Sequence, residues 1–114
     1  MEQEEKLRIF AGVLLIISCF THIIQVFFVG TATHTIIAVM FGIAYGIIGI
    51  LLIYFKNNKI ITLLCAVLPT IGGSLGVYRY LVQLPNPFSV FHVIIDIIVI
   101  PICIYLYYKM RKNE

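Results

Sequence analysis

Five polar side chains interrupt the apolar runs of this sequence, and their chemical types suit proton transfer, metal binding or recognition of a polar ligand. His92 and Asp96 lie four residues apart, so a helix places them on one face. His22 and Gln25 interrupt an earlier apolar run, and Arg79 lies between two tyrosines near the end of another. A histidine beside a carboxylate can act as an acid–base pair, and imidazole with carboxylate also suits zinc, copper or iron.

The segments that carry these residues have the length and composition of membrane spans. Hydrophobic residues make up 61% of the 114-residue chain and the mean hydropathy is +1.06, whereas soluble domains are roughly 45–50% apolar. A water-soluble chain of this size would have too few polar residues to cover its exterior, so we expect lipid to cover it. Four apolar runs each have about the length that crosses ~30 Å of hydrocarbon as a helix: residues 9–29, 35–55, 60–82 and 88–108.

We therefore predict an all-α fold with one integral membrane domain, residues 1–114, built as a four-helix transmembrane bundle in up-down-up-down order. The segments between the runs are short and rich in turn-forming residues, so neighbouring helices are expected to run antiparallel. The first run is longer than the ~7–15 apolar residues of a signal peptide and contains His22 and Gln25. Both features favour a retained helix.

Basic residues predict the orientation of the bundle. Every lysine and arginine except Arg79 lies at the end shared by both termini and the middle connection, so the positive-inside rule predicts cytoplasmic termini. The expected location is the cell membrane, which the chain crosses several times. The net charge of +3 then reflects membrane topology, and no nucleic-acid partner is predicted.

Helix geometry places the polar residues in one half of the predicted membrane region. At ~1.5 Å per residue, His22 and Asp96 lie on the order of 10 Å from the outer ends of their segments, and His34 lies at the outer mouth of its helix. The others lie at about half that depth. Because these residues also share one stripe of each helix, we predict a polar network or ligand site beneath the outer surface. Its members are His22, Gln25, His34, Arg79, His92 and Asp96.

Small residues at four-residue spacing predict where the helices pack closely. In lipid, where the usual hydrophobic drive is missing, such residues let helix backbones approach one another. Since Arg79 shares the glycine face of the third helix, it is expected to point into the bundle. The predicted packing positions are Ala38, Gly42, Gly46 and Gly49 in the second helix and Gly72 and Gly76 in the third.

Asp96 is the costliest of the polar residues to place in a membrane. A carboxylate at a helix centre costs roughly 2.5–3.5 kcal/mol on insertion scales, so Asp96 is expected to be protonated, hydrated or paired with Arg79 or His22. Pro69 and Pro101 each remove a backbone donor from a helix interior, and a kink at either one would open a cavity between the third and fourth helices.

Catalytic and cofactor functions receive little support from the sequence. No cofactor is predicted, because no two histidines have metal-binding spacing on one helix; a metal site, or haem held by His22 and His92, stays an alternative. Cys19, Cys65 and Cys103 lie in three different runs and are expected to be apolar filler. No nucleophile or phosphate-binding motif is present, so no enzyme is predicted.

An aspartate within the membrane is a usual proton carrier, so Asp96 makes proton-coupled transport a further alternative. In length and helix number the chain resembles the small multidrug resistance exporters. That family carries its essential carboxylate as a glutamate in the first helix, and residues 9–29 contain no glutamate. The resemblance therefore extends to architecture only.

The sequence favours a non-catalytic accessory or structural subunit of a larger membrane complex, or a homo-oligomer. A chain with so little mass outside the predicted helices has only helix exteriors to offer a partner. The expected partners are the lipid bilayer and either other membrane proteins or a second copy of this chain. The alternative is a binding protein or transporter with an outer-leaflet pocket for a lipid-like small molecule, a metal or a proton-coupled substrate, formed by His22, Arg79, His92 and Asp96.

Overall fold

The chain folds as a bundle of long helices in the computed structural model, which describes residues 2–29, 33–56, 58–83 and 87–112. Each of the four helices in this part of the chain is long and apolar enough to cross a membrane, so the predicted all-α, four-helix class is confirmed. A short π-helix, Arg79–Gln83, continues the third helix. The helices are α1 (Glu2–Val29), α2 (Thr33–Tyr54), α3 (Lys59–Tyr78) and α4 (Pro87–Lys112).

Two helices extend well beyond the apolar runs that predicted them. α1 begins at Glu2 instead of residue 9, and α4 continues to Lys112 instead of ending at residue 108. Acidic residues occupy the first turn of α1 and basic residues the last turn of α4, where each sign of charge stabilises the helix dipole. An apolar run predicts only the part of a helix that can lie in lipid. The charged residues at these two ends extend each helix beyond that part.

Glycines bring α1 and α2 into close contact. A Cβ atom at Gly46 would lie 2.7 Å from Sγ of Cys19, and one at Gly49 would lie 2.8 Å from the carbonyl oxygen of Gly12. Neither distance leaves room for a side chain, so only glycine permits this approach. Gly12 of α1 is the contact partner of Gly49 and was not among the predicted packing positions, which lie in the second and third helices.

The glycines of α3 contact two different helices. The hydroxyl of Tyr45 on α2 lies over Gly72 and donates to the carbonyl of Leu68 at 3.3 Å. A Cβ at Gly76 would lie 3.2 Å from Val93 on α4. Gly72 therefore lies against α2 and Gly76 against α4, although the two glycines are one helical turn apart.

A compact apolar core joins the four helices. Cys65 of α3 and Cys103 of α4 are both buried there as free thiols. Pro69 is buried within α3, whereas Pro101 lies on the exposed side of α4. The core residues are Ala11, Leu15, Tyr45, Ile48, Leu52, Cys65, Ala66, Ile95, Val99 and Cys103.

Arg8 holds the start of α1 against the end of α2. Its Nη1 donates to the carbonyl of Leu52 at 2.8 Å and also to the carbonyl of Ile53, while Nη2 lies 3.5 Å from a carboxylate oxygen of Glu5. The side chain is buried. The last carbonyls of a helix lack partners within it, so a guanidinium is a suitable cap for them.

The outward faces of the helices are apolar. Large side chains stand exposed along every helix, among them Phe20, Phe27, Met40, Ile60 and Ile97. Soluble monomers seldom expose continuous apolar surface of this extent. The exterior therefore suits contact with lipid.

Candidate functional site

The imidazole rings of His22 and His92 stack against each other where α1 meets α4. Their centroids are 3.5 Å apart and their planes differ by 8°. Gly42 of α2 makes room for the pair, since a side chain there would collide with Cβ of His22. The ring of Tyr45 stands edge-on to His22 at a centroid distance of 5.7 Å. The two stacked imidazoles are thus enclosed by α1, α2 and α4.

Both histidines are tied to the carbonyl of Ser18. Nδ1 of His22 donates to that carbonyl at 2.7 Å, and Oγ1 of Thr21 donates to it at 3.0 Å. Nε2 of His92 lies 2.7 Å from Oγ1 of Thr21. Because the hydroxyl has a single proton and gives it to Ser18, His92 is the donor in that bond. This leaves Nε2 of His22 and Nδ1 of His92 without hydrogen bonds to the described residues.

A cavity of about 220 Å³ lies beside the histidine pair, between α2 and α3, with α4 forming its far wall. Six lining side chains carry polar atoms: His22, Tyr45, Tyr78, Arg79, His92 and Asp96. An apolar cavity of ~150 Å³ holds a molecule the size of benzene. This cavity has room for a small polar molecule or for the polar part of a larger one.

Asp96 is buried in the cavity wall, and none of the described residues donates a hydrogen bond to its Oδ1. It also takes part in no ion pair within the described ranges. Of the three states expected for Asp96, pairing with Arg79 or His22 is therefore not present among the described residues, and the protonated and hydrated states stay predictions. Asp96 lies against Gly73, and at ~1.5 Å per residue the backbone of Arg79 lies about 9 Å further along the axis of that helix.

Arg79 is buried and points into the bundle at the start of the π-helix. Its Nη2 donates to Oγ1 of Thr35 at 3.1 Å, while its buried Nε has no partner within the part of the chain that the structure describes. π-Helical turns occur frequently at functional sites because they change the direction of side chains locally. The π-helical turn begins at Arg79, which is the one arginine or lysine among the described residues that line the cavity.

The remaining residues of the predicted network lie apart from the cavity or outside the described part. Gln25 is fully buried on α1, and neither polar atom of its amide has a partner among the described residues. Gln25 does not line the cavity. Ala38, which was predicted as a helix-packing position, does line it. The side chain of His34 lies outside the described residues. The structure thus brings together His22, Arg79, His92 and Asp96.

Two threonines with direct roles in the site were missed by the sequence interpretation. Thr21 links His92 to Ser18, and Thr35 accepts the hydrogen bond of Arg79. Thr21 lies one residue before His22, so it lies outside the helical stripe that contains His22 and Gln25 and from which the candidates were chosen. Hydroxyls are common in membrane helices, where they bond to their own backbone. No spacing in the sequence distinguishes these two from the others.

Two observations bear on the metal and haem alternatives. No group of three His, Cys, Asp or Glu side chains among them is placed to hold a metal ion. Haem needs two axial nitrogens pointing at the iron from opposite faces of the porphyrin. His22 and His92 instead lie ring against ring at 3.5 Å, which leaves no space for a porphyrin between them.

Comparison with known proteins gives no relative from which a function can be taken. No protein-family model matches the chain. Neither the curated proteins nor the solved structures contain a match. The functional interpretation therefore rests on the geometry of the cavity.

Proposed function

We propose that this protein is a small multi-pass membrane protein that binds a small molecule in the cavity lined by His22, Arg79, His92 and Asp96. One observation carries the proposal: Oδ1 of Asp96 is buried at the cavity wall without a hydrogen-bond partner among the described residues. A buried carboxyl group in this state costs free energy unless a ligand, a proton or water meets it.

Unsatisfied polar atoms also distinguish binding from a purely structural role. A network that only fixes helix register is stabilising when all its members are satisfied. Here Nε of Arg79 joins Oδ1 of Asp96 in lacking a partner within the described ranges, and both residues line the cavity. The accessory-subunit role favoured by the sequence is therefore our second candidate.

The proposed orientation places the cavity in the extracytoplasmic half of the bilayer. Gly12 lies against Gly49, and His22 lies against Gly42, which supports opposite directions for α1 and α2. Lys56 lies 3.3 Å from Glu5, so the basic middle connection is next to the start of the chain. The positive-inside rule then favours cytoplasmic termini, with the cavity near the other surface.

The groups that line the cavity suit recognition without catalysis. Asp96 accepts hydrogen bonds, Arg79 donates them, and the free nitrogens of His22 and His92 can accept them. No serine, cysteine or threonine nucleophile is among the lining residues. The proposed role is binding, either as an end in itself or as one step of transport across the membrane.

The test is to purify the protein from native membranes in a mild detergent and to identify what accompanies it by mass spectrometry. The matched variants are Ala38→Phe, which fills the cavity, and Ile47→Phe, which adds a ring on the exposed face of the same helix. We expect a small molecule with the wild type and with Ile47→Phe, and its loss from Ala38→Phe. Equal amounts with all three proteins, or none with any, would contradict the proposal.

The second candidate is an accessory subunit of a membrane complex or a homo-oligomer. It is favoured by the exposed aromatic side chains of Phe27 and Phe28 near the end of α1, which offer surface to another membrane protein. The same purification tests it. A stoichiometric membrane-protein partner, in the absence of any small molecule, would support this role over binding.

A further inference from the structure

We infer that the ligand is a single-chain amphiphile with an uncharged, hydroxyl-bearing head, and that it enters the cavity sideways from the bilayer between α2 and α3. The inference rests on the proposed binding function and adds a ligand class and a route. It follows from three features of the cavity: where it reaches the surface, how the gap is built, and which charges face it.

The cavity reaches the surface between α2 and α3. Among its lining residues, Asp96 is only 3% exposed, whereas Ile37, Leu75 and Tyr78 are 46%, 48% and 55% exposed. Lining side chains that are also exposed mark the mouth of a cavity. These three belong to α2 and α3 and are apolar or aromatic, so the mouth opens on the side of the bundle that suits lipid.

Small residues keep the gap between α2 and α3 open at the height of the cavity. Ala38 of α2 and Gly76 of α3 both line it, and neither has a side chain long enough to fill the space. Closer to the other end of the bundle the two helices touch. There the Tyr45 hydroxyl covers Gly72, and Sγ of Cys65 lies 3.7 Å from the carbonyl of Ile48. The opening is therefore local to the cavity.

A mouth of this kind selects for a ligand with an apolar part. A wholly polar molecule would have to lose its hydration in lipid before reaching Asp96, whereas an amphiphile already resides there. The volume of about 220 Å³ accommodates a glycerol-sized head with a few carbons of chain. The rest of the chain would remain between Ile37 and Leu75, in contact with lipid.

The charges on the wall select for an uncharged head. Asp96 and Arg79 both line the cavity but make no ion pair with each other. Because the two side chains carry opposite charges, a charged head would give the cavity a net charge within the low-dielectric membrane, which costs free energy. A head with more than one hydroxyl group avoids this penalty, since one hydroxyl can donate to the carboxylate and another can accept from the guanidinium.

The test compares three amphiphiles of equal chain length added to the protein in phosphatidylcholine nanodiscs. The probes are 1-decanoylglycerol, decylamine and decanoate, and saturable binding is followed by native mass spectrometry and by the shift in unfolding temperature. We expect decanoylglycerol to bind about tenfold or more tightly than either charged probe. Ala38→Phe should abolish this binding, the milder Ala38→Leu should weaken it, and Ile47→Phe should leave it unchanged.

Each contrary result identifies which claim fails. Preference for decylamine or decanoate would overturn the uncharged head. Binding of free glycerol as tight as that of decanoylglycerol would overturn entry from the bilayer while leaving the cavity as a binding site. Binding of decanoylglycerol to Ala38→Phe as to wild type would overturn the assignment to this cavity. Binding of no probe, together with native preparations free of small molecules, would overturn the proposed function itself.

Discussion

The imidazole rings of His22 and His92 lie face to face at 3.5 Å, and this contact joins the first helix of the chain to the last. Both rings are anchored on the Ser18 carbonyl, one directly and the other through Thr21. Anchoring fixes the two ring planes relative to each other. The stack therefore presents a rigid edge to the cavity, with one free nitrogen on each ring.

Replacement of Thr21 by valine should weaken this arrangement. The change removes the hydroxyl that accepts from His92, and we expect the free energy of unfolding to fall by about 1 kcal/mol. Thr21→Ser keeps the hydroxyl and serves as the control. Thermal unfolding in nanodiscs measures the stability, and ¹⁵N shifts of the histidine rings report the lost bond. Equal stability of the valine and serine variants, with an unchanged His92 spectrum, would contradict the hydrogen-bond assignment.

A side chain at Gly72 should collide with the hydroxyl of Tyr45. We expect Gly72→Ala to lower the free energy of unfolding by about 1–3 kcal/mol, the usual cost of overpacking. Gly76→Ala is the control on the same helix, because its Cβ would meet only Val93, at 3.2 Å. The smaller contact should cost less.

A double-mutant cycle tests the cause of the Gly72 effect. Tyr45→Phe removes the oxygen in the way of the new methyl group, so Gly72→Ala should cost less in that background than in the wild type. If the cost of Gly72→Ala is the same in both backgrounds, another contact is responsible.

Arg8 should contribute more to stability than its position near the chain start suggests. Arg8→Lys removes the guanidinium, whose Nη1 donates to two carbonyls of α2 while Nη2 reaches Glu5, and we expect a loss of about 1–3 kcal/mol in the free energy of unfolding. Lys6→Ala is the matched control, since Lys6 pairs with Glu2 on the exposed surface and should contribute about 0–1 kcal/mol. Similar unfolding temperatures for both variants would show that the cap is dispensable.

The helices were predictable because run length and apolar composition decide membrane insertion without reference to the rest of the fold. The placement of His22, His92 and Asp96 on inward stripes was also accessible, since helical periodicity fixes the face of a residue. Periodicity does not fix the height or the partner of a side chain. That is why the sequence left pairing of Asp96 with Arg79 or His22 open as one of three states, and neither ion pair occurs among the described residues.

The hydrogen-bonding partners in the site were not predictable for a related reason. Thr21, Thr35 and Arg8 take their roles from backbone and side-chain atoms of other helices. Their types and spacing carry no sign of those distant atoms. Arg8 in particular was interpreted only as a topological charge, although its guanidinium is buried against α2.

A cysteine at position 46 should form a disulfide with Cys19. A Cβ at Gly46 would lie 3.0 Å from Cβ of Cys19, and disulfides need ~3.5–4.5 Å, so a small separation of α1 and α2 brings the two into range. After mild oxidation, peptide mass spectrometry should find this link in Gly46→Cys. Ile47→Cys, on the exposed face, is the control and should not form it. Equal cross-linking at positions 46 and 47 would contradict the α1–α2 contact.

Asp96→Asn separates a binding role from a structural one. The amide keeps the shape of the side chain but removes a buried charge without partners, so the ligand-free unfolding temperature should stay equal or rise. Binding of decanoylglycerol should weaken about tenfold, because the strongest acceptor in the cavity is lost. Gln25→Leu is the control, since Gln25 is buried outside the cavity, and it should leave binding unchanged. A marked loss of stability in Asp96→Asn with normal binding would instead assign Asp96 to the framework of the bundle.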